Sequence, residues 1–397
     1  MKYYDKVTPE GTRDRLFDEC VSRKEVTRRL TEMFSSRGYR QVMTPAMEFY
    51  DVFGCSAASL PQELMYKLID HHGRLMVLRP DCTIPIARLA ATRLTGMPLP
   101  LRLFYSQHVY RAEQNLRGRP SEILQTGVEL IGSSSLRSDL EMVELAASGL
   151  ADIGGEGFRI ELCHIGYFKA LIDSLDADND CKEEIRQSIE QKNYTNLADL
   201  LEQFGDSKAA TALKYLPRLF GGEEVFERAY ALFSENGASA SLDYLHSIYA
   251  YLQKLDLKER VIIDLGLVNQ AEYYTGLIFR GYFDGIGEPV LSGGRYDNLI
   301  SAFGRPLPAT GFAFHVDLAT QVLPKQEPQK PSILVFSDDE HLPDAINYMK
   351  TLTQSGAMVE GSVYDDFDEA TDYAQRSGIR YLHVVEDEIE IIDLDTL

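Results

Sequence analysis

Val26, Leu30, Met33 and Phe34 recur at helical spacing within residues 18–37, and Gly38 follows them as a stop, so the pattern predicts an amphipathic helix. Beyond it the period shortens. "YRQVMTP" reads as a strand ended by Pro45, and "LMVLRP" (75–80) and "LRLFYSQHVYR" (101–111) read as further strands. In "EILQTGVELIG" (122–132), Leu124, Thr126, Val128 and Leu130 fall on one face and Gln125, Gly127 and Glu129 on the other. That alternation sets a glutamine and a glutamate side by side on the polar face. A helix over 139–153 and a strand at "FRIELCHI" follow.

From about 169 to 257 the character is helical throughout, with "CKEEIRQSIEQ", "NLADLLEQF", "EVFERAYALF" and "LDYLHSIYAYLQKL" in succession, which reads as an insertion. Strand patterns return in "VIIDLGL", "YTGLIFRGYF" and "PVLSGGRYDNL", followed by the glycine-bearing "PATGFAFHVDLA". "PKQEPQKP" reads as a linker over 324–331. Residues 332–397 alternate strand and helix patterns and form a small acidic α/β module. The expected organisation is therefore α+β: a body over 1–323 built on an antiparallel sheet flanked by helices, with a helical insertion, then the module.

Composition narrows the function classes. With 44% apolar and 25% charged residues and no run of about 18 apolar residues, the chain reads as globular, with no membrane partner expected. The start, "MKYYDKVTPEGTRD", has no apolar leader pattern, which makes the cytoplasm the expected location. Cys20, Cys55, Cys82, Cys163 and Cys181 are scattered, and the adjacent His71 and His72 point to different sides, so no metal or cofactor is expected. Of the net charge of −21, the residues from Pro331 onward carry −13, with 16 Asp and Glu against 3 Lys and Arg. A phosphate backbone needs clustered cations.

The candidate chemistry comes in pieces that are individually weak. In "RPDCTIP", Asp81 and Thr83 follow an apolar strand where a carboxylate and a hydroxyl can grip an ammonium group, although a turn and helix cap explains them as well. "VYRAEQNLRGRP" places Arg111 and Glu113 two apart at a strand end, and "GGRYD" (293–297) is a glycine turn with a cation.

Their order and spacing resemble the catalytic domain of class II aminoacyl-tRNA synthetases, most closely the histidyl-tRNA synthetase family, over nearly the whole chain. "TPEGTRD" resembles that family's N-terminal box and "GYRQVMTPAME" its dimer-forming first motif. "LRPDCT" resembles its L-R-P-E-G-T, "VYRAEQNLRGRPSEILQTGVELIG" its second motif and the following strand, and "NQAEYYTG" and "LSGGRYD" its histidine-recognition boxes. The resemblance implies that Asp81, Thr83 and Gln125 hold an α-amino group and that Glu129 and Tyr274 hydrogen-bond an imidazole. Tyr273 and Tyr296 would close the pocket, with Arg111 beside them. A buried imidazole needs a partner on each nitrogen, which a carboxylate and a phenol supply.

The departures change the expected activity. Where the family's catalytic arginine opens R-G-L-D-Y-Y, this chain reads "NQAEYY" and has Asn269. The third-motif arginine over ATP falls on Leu318, and a second-motif position usually occupied by arginine is Ser121. A synthetase-like body that keeps its amino-acid pocket and loses cations for ATP resembles the regulatory subunits of ATP phosphoribosyltransferase. That resemblance implies a non-catalytic homodimer core within a hetero-oligomer, a short-form catalytic subunit as partner, free histidine as regulatory ligand and no tRNA. A divergent histidyl-tRNA synthetase and a stand-alone amino-acid sensor are the alternatives that the residues leave open.

Overall fold

The computed structural model describes residues 4–54, 61–112, 120–255, 257–268, 273–324 and 330–396. The chain divides into two compact units, Met1–Lys325 and Gln326–Leu397. The stretch expected to be a linker, 324–331, lies largely outside the described residues, as does Cys55.

The first unit is built on a nine-stranded sheet. Its centre is antiparallel as expected: strand Leu101–Tyr110 pairs with Glu122–Ile131, which pairs with Ala309–His315, then Leu291–Arg295, Leu277–Phe283 and Phe158–His164. At two places the sheet departs from the expected pattern and is mixed. Arg40–Gln41 joins Leu101–Tyr110 in parallel, and Val261–Asp264 joins Phe158–His164 in parallel. The connections from Arg40–Gln41 to Leu101–Tyr110 and from Phe158–His164 to Val261–Asp264 each contain helix and are long enough for a crossover.

Helix Phe17–Ser36 realises the first periodic stretch: Val26, Leu30 and Phe34 are fully buried, and Gly38 at φ +83° ends the run. Each such side chain contributes about 1.5–3 kcal/mol by leaving water. Phe34 meets Phe104 and Phe312, which sets the helix across the sheet face that carries Val128 and Leu130. Helix Leu136–Gly154 covers the same face; Ser135 caps it by accepting from the Arg137 N–H, and Asp139 sits in its first turn, where the helix dipole favours a carboxylate. The helical insertion comprises Asn179–Glu190, Tyr194–Glu202, Lys208–Tyr215, Glu224–Leu232 and Ala238–Gln253, entered through Ile165–Asp173.

The opposite sheet face carries Gln125, Gly127 and Glu129, as the alternation predicts. It is covered by helix Thr83–Thr92 and Tyr296, and Leu103, Tyr105 and Ile131 of the sheet flank Glu129 on it, so Glu129 is only 1% exposed. A small three-stranded sheet of Met47–Phe49, Leu75–Leu78 and Lys67–Ile69 stands beside it. Register puts Met47 opposite Leu78, and Phe49 and Leu68 opposite Met76, which collects these side chains on one face. Met47 is 54% and Phe49 43% exposed, so this face is an uncovered apolar patch in the single chain.

The second unit is a four-stranded sheet in the order Val359–Gly361, Ile333–Ser337, Tyr381–Val385, Ile389–Asp393. Helix Leu342–Gln354 packs on Ile333 and Val335, while helix Phe367–Ser377 supplies Ala370 and Ala374 against Leu334 and Leu382. No helix among the described residues is long and apolar enough to cross a membrane.

Candidate functional site

Asp81, Thr83, Arg111, Gln125, Glu129, Tyr273, Tyr274 and Tyr296 line one cavity of about 160 Å³. They come from separate elements: the turn into helix Thr83–Thr92, the end of one central strand, the body of the next, and the segments that flank Leu277–Phe283 and follow Leu291–Arg295. Leu64, Tyr105, Ser292, Gly311, Phe312 and Ala313 complete the wall, and the sequence reading had singled out none of these six.

The floor depends on glycine. Gly311 pairs with Glu129 across the ladder, and a Cβ at Gly311 would stand 1.9 Å from the Glu129 carboxyl oxygen. Only the missing side chain leaves room for the carboxyl group. Gly294 does the same for Tyr274, whose ring lies 2.7 Å from where a Cβ would be. Tyr273 packs against Tyr274 at 4.9 Å and edge-on to Tyr296 at 6.0 Å between ring centres.

In "RPDCT", Asp81 accepts the Ile84 N–H at 2.9 Å at the start of helix Thr83–Thr92 and is also part of the cavity wall. Thr83 donates to Glu129 Oε1 at 2.8 Å, and the Tyr296 hydroxyl donates to Oε2 in a short hydrogen bond. Burial pushes the Glu129 carboxyl up to about 8, against the pull of the Tyr296 and Thr83 hydroxyls. Burial raises Asp81 as well, opposed by the Ile84 N–H and by Arg111. The phenols of Tyr105, Tyr273, Tyr274 and Tyr296 are also pushed up, first by burial and then by the nearby carboxyl groups, so they are neutral donors and acceptors.

Behind the wall, Arg295 forks onto Asp139, with Nη2 at 2.7 Å from Oδ1 and Nε at 2.9 Å from Oδ2. Tyr244 of the insertion donates to the same Asp139 at 2.6 Å. The Lys169 ammonium, on the helix that enters the insertion, donates to the Tyr274 carbonyl at 2.8 Å and so touches the pocket wall itself. The cation of "GGRYD" is therefore a structural anchor for the strand that delivers Tyr296.

Ser121 and Leu318 stand in a different, larger cavity of about 990 Å³. Three arginines not singled out in the sequence, Arg13, Arg15 and Arg23, line it, but each faces a carboxylate: Arg13 pairs with Glu19 at 2.7 Å, and Arg15 and Arg23 both reach Asp317, at 3.3 and 2.9 Å. Glu10, Asp18, Glu122 and Glu288 add further negative charge. Ser121 is buried under the N-terminal segment, its N–H donating to the Gly11 carbonyl at 2.7 Å. Asn269 and Glu113 lie outside the described residues.

The histidyl-tRNA synthetase family model matches residues 11–318. The ATP phosphoribosyltransferase regulatory subunit of Clostridium kluyveri is 39% identical over 391 residues, covering 97% of this chain and 100% of that protein. The chain belongs to the histidyl-tRNA synthetase family, in its branch of ATP phosphoribosyltransferase regulatory subunits. A crystal structure described as an ATP phosphoribosyltransferase regulatory subunit/histidyl-tRNA synthetase from Bacillus halodurans superposes with a TM-score of 0.83 at 32% identity, covering 94% of this chain and 97% of that one. Histidyl-tRNA synthetase from Nostoc shares the fold, at a TM-score of 0.77 and 19% identity, covering 99% of this chain and 95% of that one.

Proposed function

We propose that the chain is the non-catalytic regulatory subunit of ATP phosphoribosyltransferase, joining a short-form catalytic subunit for the first step of histidine biosynthesis and letting free histidine feed back on it. The observation that carries this reading is the division of labour between the two cavities. One gathers a carboxyl, hydroxyls and phenols suited to an imidazole and an α-amino group. In the other, every described arginine faces a carboxylate, and two of the positions where the synthetases use arginine are Ser121 and Leu318.

Amino-acid activation concentrates negative charge on the α-phosphate, and removing one preorganised donor there costs about 10²- to 10³-fold in rate. With Asn269, Ser121 and Leu318 at such positions, aminoacylation activity is absent in this reading. The C-terminal module, at net −13, is of the wrong sign for tRNA. Histidine binding shifts the complex between two conformations, by as much as its affinities for them differ. The protein works in the cytoplasm, without a metal or cofactor of its own.

Two measurements test this. Calorimetry on the purified chain is expected to show histidine binding, while histidine-driven ATP–pyrophosphate exchange stays at background; robust exchange would instead make the chain a synthetase. The apolar face of Met47, Phe49 and Leu68 supports a homodimer core, since in the single chain it is open to water. Phe49→Glu is expected to convert a dimer to monomers by light scattering, and an unchanged mass would remove this face from the interface.

A further inference from the structure

The charges around the pocket do not balance. Asp81 and Glu129 bring two carboxyl groups, and Arg111 is the one cation among the described lining residues. Asp81 lies in the field of Arg111, whose Nε is held by the Pro80 carbonyl at 2.9 Å. Among the described residues, Glu129 has hydroxyl partners only, Thr83 and Tyr296. The titratable groups that face it from the surrounding elements are Asp81 and Cys82 at the helix start, Tyr105 on the neighbouring strand, Tyr273 and Tyr274, and Tyr296. All of these are acids, so none compensates an ionised Glu129.

A zwitterionic α-amino acid closes the first half of the site by itself. Its ammonium matches Asp81 and its carboxylate matches Arg111, which leaves no net charge there. Glu129 then faces the ligand ring alone. Ionised against a neutral imidazole it would be a buried, unpaired carboxylate, which is the costly case. With one proton between the two groups, either a neutral carboxyl faces a neutral ring or a carboxylate faces an imidazolium, and both arrangements are balanced.

We propose that the pocket binds histidine only with a single proton held between Glu129 and the imidazole ring, so that affinity passes through a maximum with pH. This rests on the histidine reading of the site. The signs follow from the free states. Below the ring's ordinary value of about 6.5, free histidine and Glu129 each carry a proton, and one must be expelled on binding. Above about 8, where burial has placed Glu129, both have lost theirs and one must be taken up. Each limb weakens binding about tenfold per pH unit. Through this linkage histidine control of the partner is strongest near neutrality.

The test is calorimetry on the full chain between about pH 5.5 and 9, in buffers of different ionisation enthalpy, bracketing both values. Histidine binding is expected to release close to one proton at the acid end, exchange none near neutrality and take up close to one at the alkaline end. The ligand 1,2,4-triazole-3-alanine, whose ring stays unprotonated over this range, is expected to lose the acid limb on the unaltered protein. Glu129→Gln is expected to lose the alkaline limb relative to the unaltered chain, apart from the ammonium titration that both share. Histidine binding with a flat pH profile, or with limbs that neither change removes, overturns the proposal. A folded chain that binds no histidine at any pH overturns the histidine reading as well.

Discussion

Glu129→Ala is expected to abolish histidine binding in the calorimeter, raising the dissociation constant by about 30-fold to several-thousandfold, the equivalent of about 2–5 kcal/mol for removing one partner of a buried charged hydrogen bond. Glu129 is 1% exposed, and no other described carboxyl group near the ring end of the cavity can replace it. Asp81 is the other carboxyl group of the described lining and already accepts the Ile84 N–H. The fold should tolerate the change, because a buried carboxyl with no cation on it is itself unfavourable and the cavity lets water reach the Thr83 and Tyr296 hydroxyls. Thermal stability close to that of the unaltered chain, together with lost binding, is the expected pair of results. Undisturbed affinity would place histidine elsewhere.

Asp139→Ala is expected to cost about 3–5 kcal/mol of stability, the usual consequence of leaving one member of a buried ion pair without its partner. Asp139 is 0% exposed and holds Arg295 through two hydrogen bonds and Tyr244 through a third. Asp297, at 2.9 Å from Arg295 Nη1, offsets only part of the loss, since it is itself partly exposed. A urea titration followed by circular dichroism reads the effect, and a loss below about 1 kcal/mol would show that the pair is dispensable. Because Arg295 precedes Tyr296 in the chain, histidine affinity should fall too, although Asp139 does not line the pocket.

These two residues also mark what was and was not legible in the sequence. Glu129 was legible because a strand repeats every two residues: once "EILQTGVELIG" is a strand, Gln125 and Glu129 must share a face. Of what closes this face, only Tyr273 and Tyr296 were named from the resemblance. Its roof comes from helix Thr83–Thr92 and its clearance from Gly311, which lies 182 positions away in "PATGFAF". The Arg295–Asp139–Tyr244 cluster joins three distant segments, and a lone aspartate in a helix's first turn reads as an ordinary cap-region acid. The strands Met47–Phe49 and Lys67–Ile69 are too short to show alternation, so the small sheet and its apolar face were missed, as was the final strand Ile389–Asp393. In the larger cavity Ser121 and Leu318 were named from the resemblance alone, whereas the pairing of Arg15 and Arg23 with Asp317 needed the fold to bring the N-terminal segment against the end of strand Ala309–His315.

The most direct measurement is reconstitution: the chain is mixed with a short-form ATP phosphoribosyltransferase catalytic subunit, and phosphoribosyl transfer to ATP is followed while histidine is titrated. The expected result is activity that depends on the mixture and falls as histidine rises, with the fall lost in Glu129→Ala. A mixture in which the two chains fail to associate, or whose activity ignores histidine, would contradict it.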